Sequence, residues 1–288
     1  MSRSDFTVYA DGVSISGHRS AGRGMPVLML HGSGASKNVF TRQFDSQLAE
    51  MYDLVAIDLP GHGQSGDAIH PAHTYSVRGL ATVVSEVIDQ LGLLRPAIYG
   101  WSLGGHVAIE LSVQRPDLAG MALGGTPPVG PGPLAALRGF HARWDMLLAS
   151  KESFSARDAE RFLKLCYGES GTPQFLADIK RADGRLRPQF LRSLMRGDCA
   201  DQKRVVETSP VPLAMINGED DPIVRRGYIE HLNYAALWGD HCQTIPNAAH
   251  APFWEQAEAF NRMLHRFLKD VALGRLAAPL VLPKQQAS

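Results

Sequence analysis

Short apolar runs alternating with longer amphipathic segments constrain this chain more than any other feature. VLML at 27–30, LVAI at 54–57, AIY at 97–99, MALG at 121–124 and LAMI at 213–216 are short and apolar at nearly every position, as strands covered on both faces are. Between them, 76–91 and 103–114 carry apolar residues at helical spacing, the crossovers that consecutive parallel strands require. Nearer the start, FTVYADGVSISGH sets Asp11-Gly12 between two alternating runs, a hairpin signal. The expectation is a mixed, mostly parallel sheet with helices on both faces.

The alternation stops after Gly125. TPPVGPGP packs four prolines into eight residues, and no strand pattern returns until about Val211. Within this block Leu137, Phe140, Trp144, Leu147 and Leu148 fall on one helical face, SARDAERFLKLCY opens on Ser155 as a capping residue, and 174–182 and 188–195 supply two further helices. A chain of 288 residues, 44% hydrophobic, can fill one large α/β core and carry an insertion. The organisation expected is therefore a core of 1–125 and 211–270, a helical cap of 126–210 and a tail of 271–288, the sequence after Leu268 having no assignable pattern.

The run AIYGWSLGGH places Gly100-Trp101-Ser102-Leu103-Gly104 between a strand and a helix. A bare GxSxG occurs by chance, but in this setting a sharp elbow holds the serine above the sheet, and the helix-opening amides direct partial positive charge at it. A serine hydroxyl is a poor nucleophile at neutral pH, so it needs a base and a group to orient that base. TIPNAAHAPFWEQ offers His250 as the base. LAMINGEDDPIV offers the acid: Asp221 is preferred to Asp220 and Glu219 because it is third after Gly218 and immediately precedes Pro222. LMLHGSGAS supplies a loop whose backbone can approach closely through Gly32 and Gly34, so the amides of Ser33 and Leu103 are the expected oxyanion donors.

LHGSGAS, AIDLPGHGQS, GWSLGG, GEDDP and NAAHAPF together resemble the ordered landmarks of the α/β-hydrolase superfamily, over about residues 8 to 270. DLPGHGQSGDAIHPAHTYSV, YGWSLGGHVAIEL, GGTPPV, CYGES and RADGRLR are similar, more narrowly, to the metal-independent N-acyl-homoserine lactone hydrolases, the quorum-quenching branch of that superfamily. The resemblance implies an α/β-hydrolase fold and a Ser-His-Asp mechanism that opens the lactone ring without metal or cofactor. Two positions depart from it. Those relatives carry Glu where Asp221 stands, shortening the reach of the acid here, and Asn where Ser33 stands, removing one side-chain contact to substrate. The zinc motif HxHxDH of other lactonases is absent from the sequence.

For substrate contact the expectation is Gly32, Trp101, Phe140, Trp144, Phe162 and Tyr167, with Trp101 beside the nucleophile able to serve substrate or scaffold. The four arginines of GRLRPQFLRSLMRGD read as a solvated helical face. His70 and His73 read as surface-loop residues rather than metal ligands, and His31 and His106 as hydrogen-bonded structural histidines. Cys166, Cys199 and Cys242 lack CxxC spacing and read as reduced structural thiols. With 29 basic and 29 acidic residues there is no global field to draw nucleic acid or an anionic membrane. No secretory h-region opens the sequence, and the cytoplasm is the expected location. A small acyl lactone or ester is the expected partner. A general carboxylesterase and a small-molecule receptor on a hydrolase scaffold are the competing functions, because a triad does not specify its leaving group and a fold does not specify catalysis.

Overall fold

A computed structural model describes residues 3–276. Eight strands form one sheet in the order β1-β2-β4-β3-β5-β6-β7-β8, namely β1 (Arg3–Ala10), β2 (Val13–Ser20), β3 (Pro26–Leu30), β4 (Asp53–Ile57), β5 (Ala97–Trp101), β6 (Gly120–Gly124), β7 (Leu213–Gly218) and β8 (Gln243–Ile245). The first two are antiparallel to each other and β2 is antiparallel to β4, whereas every pairing from β4 to β8 is parallel. The mixed sheet expected from the apolar runs is therefore present. Ala10 pairs with Val13 across Asp11 (φ 47°) and Gly12 (φ 71°), two positive values that match a hairpin turn to the twist of its strands.

Helices flank the sheet. Val77–Gln90 is opened by Ser76, whose side chain accepts from the amide of Gly79, and Leu103–Gln114 is buried along nearly its whole length. Ala257–Ala272 packs Phe260, Leu264, Phe267 and Leu268 inward. It continues past Leu268, where the sequence offered no assignable pattern; residues 277–288 of the expected tail lie outside those described.

Between β6 and β7 the described chain forms helices. Ala156–Tyr167 begins in a reciprocal box between Ser155 and Asp158, and Pro173–Arg181, Leu186–Arg196 and Gln202–Thr208 follow. The expected single helical face through Leu137, Phe140, Trp144, Leu147 and Leu148 does not form. A short helix, Pro133–Arg138, is followed by a separate 3-10 segment, Trp144–Ser150. The residues between are recruited by β-type bonding to the loop after β7: the amide of Arg225 donates to Gly139 O (2.9 Å), the amide of His141 donates to Ile223 O (2.9 Å), and Phe140 bridges Val224. Tertiary pairing has overridden helical periodicity, and only Leu148 of the five is buried beneath the surface while Trp144 is 85% exposed.

Candidate active site

Adjacent strand ends deliver the candidate chemistry to one rim of the sheet, as open parallel sheets do. β5 ends at Trp101, Ser102 adopts φ 54° and ψ −116°, and the helix Leu103–Gln114 starts at the next residue. Such a backbone state is costly for a residue with a Cβ and persists only where its surroundings fix it. Here the amide of Ser102 donates to Gly124 O (2.8 Å) and the Thr126 hydroxyl donates to Ser102 O (2.8 Å). Gly104 lets the elbow sit against β3, since a Cβ there would lie 2.3 Å from Leu30 O.

β3 lies beside β5, and the loop leaving it brings His31-Gly32-Ser33 next to the elbow. A Cβ on Gly32 would meet the Trp101 ring at 2.9 Å and Ser102 Cβ at 3.2 Å, so glycine permits the approach. Gly32 therefore packs against Trp101 and Ser102 rather than forming cavity wall. The Ser33 hydroxyl is buried without a hydrogen-bond partner among the described residues, and Ser33 borders the cavity above Ser102. The Leu103 amide opens the helix and belongs to the first turn, whose N–H groups have no intrahelical acceptor.

The expected acid and base, Asp221 and His250, lie in the loops after β7 and β8. His250 is 1% exposed, and its Nδ1 lies 2.9 Å from Asp221 Oδ2. With a carboxylate on Nδ1 the imidazole carries its proton there, leaving Nε2 as the acceptor, and Nε2 is buried with no protein partner among the described residues. Asp221 Oδ1 accepts the amides of Ile223 (2.8 Å) and Val224 (3.1 Å), which holds the carboxylate in its turn, while Glu219 and Asp220 face solvent. Geometry thus places Asp221, of the three acids, against His250. Trp101 Nε1 donates to His250 O (2.8 Å), so the indole serves as scaffold for the imidazole segment and also borders the cavity.

Two buried histidines brace the loop after β3. His31 Nδ1 donates to Gly32 O (2.8 Å) and its Nε2 accepts from the amide of Leu59 (3.0 Å); His62 Nδ1 donates to Pro60 O (3.1 Å) and its Nε2 accepts from the amide of Gly34 (3.1 Å). Each accepts through a neutral nitrogen, and burial holds both below the ordinary imidazole pKa, His62 further than His31. Deeper still, Lys37 Nζ bonds Asp58 Oδ2 (2.6 Å), Gln64 Oε1 (2.9 Å) and Ser16 Oγ (3.1 Å), tying this loop to the one after β4. Neither Lys37 nor His62 was singled out from sequence; the AIDLPGHGQS landmark contained Asp58 and His62 without showing what they hold. His106, 4% exposed, is held by Gln202 Oε1 (2.7 Å), and burial pushes it down to about 4.

A cavity of about 470 Å³ opens over Ser102, bordered by Trp101, Phe140, Phe162, Phe190, Leu194 and Ile223 among others. Trp144 and Tyr167 do not line it. Trp144 projects into solvent because its helix is interrupted, and Tyr167, 2% exposed, lies behind Trp101 and Phe175 with ring centroids 5.4 and 4.6 Å away. Arg187 was read as part of a solvated face, yet it is 4% exposed and borders the cavity, whereas Arg185, Arg192 and Arg196 are exposed. His70 and His73 are exposed at a one-turn helix, Pro71–Thr74, and no cluster of potential metal ligands occurs among the described residues. All three cysteines are free, and no described helix is long and apolar enough to cross a membrane.

Comparison with known proteins agrees with this architecture. The model of the alpha/beta hydrolase family matches residues 27–263. A pimeloyl-[acyl-carrier protein] methyl ester esterase of Neisseria meningitidis serogroup A is 30% identical over 85% of this chain and 77% of its own, and one of Xanthomonas axonopodis pv. citri is 30% identical over 87% and 97%. A crystal structure of the N-acyl homoserine lactonase AidH complexed with N-butanoyl homoserine is similar at 35% identity and a TM-score of 0.91, covering 93% of this chain and 97% of that one. The chain belongs to the alpha/beta hydrolase family.

Proposed function

We propose that this hydrolase opens the lactone ring of N-acyl homoserine lactones, with Ser102 as nucleophile, His250 as general base and acid, and Asp221 as the group that orients and stabilises the imidazole. The similarity to AidH bound to N-butanoyl homoserine, the ring-opened form of such a lactone, carries the choice of substrate. Ser102 Oγ attacks the ring carbonyl while His250 Nε2 takes its proton. The amides of Ser33 and Leu103 donate to the oxyanion that develops. The ring C–O bond then breaks, the ring oxygen takes the proton back from His250, and the acyl part remains as an ester on Ser102. Water, deprotonated by His250, attacks that ester and releases N-acyl-homoserine. Residues 126–210 act as a cap on a core of 1–125 and 211–270, and the wall it contributes receives the acyl chain.

Lactone chemistry imposes one demand that open esters do not. The hydroxyl released from the ring stays tethered to the acyl-enzyme at high effective concentration, so ring closure competes with water. The esterase relatives favour a second reading, a carboxylesterase for open acyl esters. Mass spectrometry of hexanoyl homoserine lactone after incubation tests the proposal. Ring opening yields one product heavier by a single water, amide cleavage yields a fatty acid and homoserine lactone, and an intact lactone beside rapidly hydrolysed methyl esters favours the esterase.

A further inference from the structure

The helix Leu186–Arg196 turns one stripe toward the cavity: Arg187, Phe190, Leu191, Leu194 and Met195, at positions i, i+3, i+4, i+7 and i+8. Four of the five are apolar side chains fit to bed a hydrocarbon. The fifth is a guanidinium, in the first turn of that helix, 4% exposed. Its Nε donates to Lys151 O (2.7 Å), its Nη2 donates to Glu152 O (2.9 Å), and its plane lies 3.8 Å over the Phe154 ring. Phe154 in turn packs on Phe162, another wall residue, at 5.4 Å between ring centroids.

Nη1 has no partner. It is buried, and no carboxylate comes within ion-pair distance of Arg187 among the described residues. Asp183, just ahead of this helix, is engaged by Arg185 (2.6 Å) and by the Tyr75 hydroxyl (2.6 Å). A buried donor without an acceptor is costly, and more so when it is charged. Burial also pushes the Arg187 pKa down to about 10, against the opposing pull of the Asp183 charge.

We infer that Arg187 is a specificity residue for the acyl half of the substrate, its unpartnered Nη1 donating to an oxygen substituent, keto or hydroxyl, on a chain laid along Phe190, Leu191, Leu194 and Met195. This rests on the proposed function only in taking the acyl half to occupy that wall. A substrate oxygen completes the guanidinium's donor set, and an unsubstituted chain leaves Nη1 orphaned in both free and bound states.

The test compares hexanoyl with 3-oxohexanoyl homoserine lactone, and the methyl ester of N-hexanoylglycine with that of N-(3-oxohexanoyl)glycine, open esters that keep the oxo group at the same number of bonds from the attacked carbonyl, on the wild type, Arg187→Met and Arg187→Lys. The wild type should prefer the oxo member of each pair by about tenfold in kcat/KM, the ratio expected when one charge-assisted hydrogen bond distinguishes two ligands. Arg187→Met should bring the ratio to about one by raising KM for the oxo substrates alone, and Arg187→Lys should restore part of it. Equal losses on substituted and unsubstituted chains would overturn the inference, since loss of the bonds to Lys151 and Glu152 alone would act on both. So would a wild-type ratio near one. Should lactones resist hydrolysis while the esters show an Arg187-dependent ratio, ring opening is refuted and the specificity role stands.

Discussion

The rim of the sheet and the helical excursion between β6 and β7 solve opposite problems. At the rim, loops from neighbouring strand ends meet and are cross-braced by buried bonds, Lys37 with Asp58, His31 with Leu59 and Gly32, His62 with Gly34 and Pro60, while Ser33 Oγ and His250 Nε2 are left without protein partners among the described residues. In the excursion Leu134, Leu137, Trp144 and Leu147 are mostly exposed, and Arg187 keeps an unsatisfied donor. Chemistry demands fixed geometry, which hydrogen-bonded braces between rigid strand ends provide. Recognition of a variable chain demands apolar surface and spare polar capacity instead.

The widest gap between the two regions should appear when the rim's own geometry is broken. Asp221→Asn retains an oxygen for the amides of Ile223 and Val224 but replaces the acceptor facing His250 Nδ1 with an amide that favours the wrong tautomer. We expect kcat to fall by about 10⁴ on any hydrolysed substrate, with a melting curve little changed. Stopped-flow or discontinuous assays beside differential scanning fluorimetry measure both. Next in size is Lys37→Met. The buried Asp58 carboxylate would lose its counter-ion, and urea unfolding should show a loss of about 3 to 5 kcal/mol. A loss under 1 kcal/mol would mean that the rim does not depend on its buried charges. Trp144→Ala marks the other extreme: an 85% exposed side chain outside the cavity should change stability by no more than about 0.5 kcal/mol and leave kcat/KM unaltered.

The same division explains what could be read in the sequence. Strands β3 to β7 and the helices Val77–Gln90 and Leu103–Gln114 were legible because burial on both faces of a parallel sheet writes itself as unbroken apolar runs separated by helical periodicity. Ser102, His250 and Asp221 stood out because each lies in a short segment with turn chemistry of its own, and the structure brings the last two to 2.9 Å. Aromatic residues of the excursion were harder. Trp144 shared helical spacing with true wall residues, but β-type bonding of residues 139–141 to the loop after β7 broke the periodicity that ordered it, whereas Tyr167 sits on an intact helix that turns its ring behind Trp101 and Phe175. Arg187 looked like its three exposed neighbours because composition cannot distinguish a guanidinium over a phenyl ring from one in water. Lys37 was silent for a related reason: its partner Ser16 lies on β2, and Asp58 and Gln64 lie in the loop after β4.

The hydrogen bond from Trp101 Nε1 to His250 O makes a single indole both wall and tether. A guest too bulky for the space cannot press on that ring without dragging the imidazole segment along with it. Size selection would then register as slow turnover of well-bound compounds, and the tightest long-chain ligands would act as inhibitors rather than as good substrates.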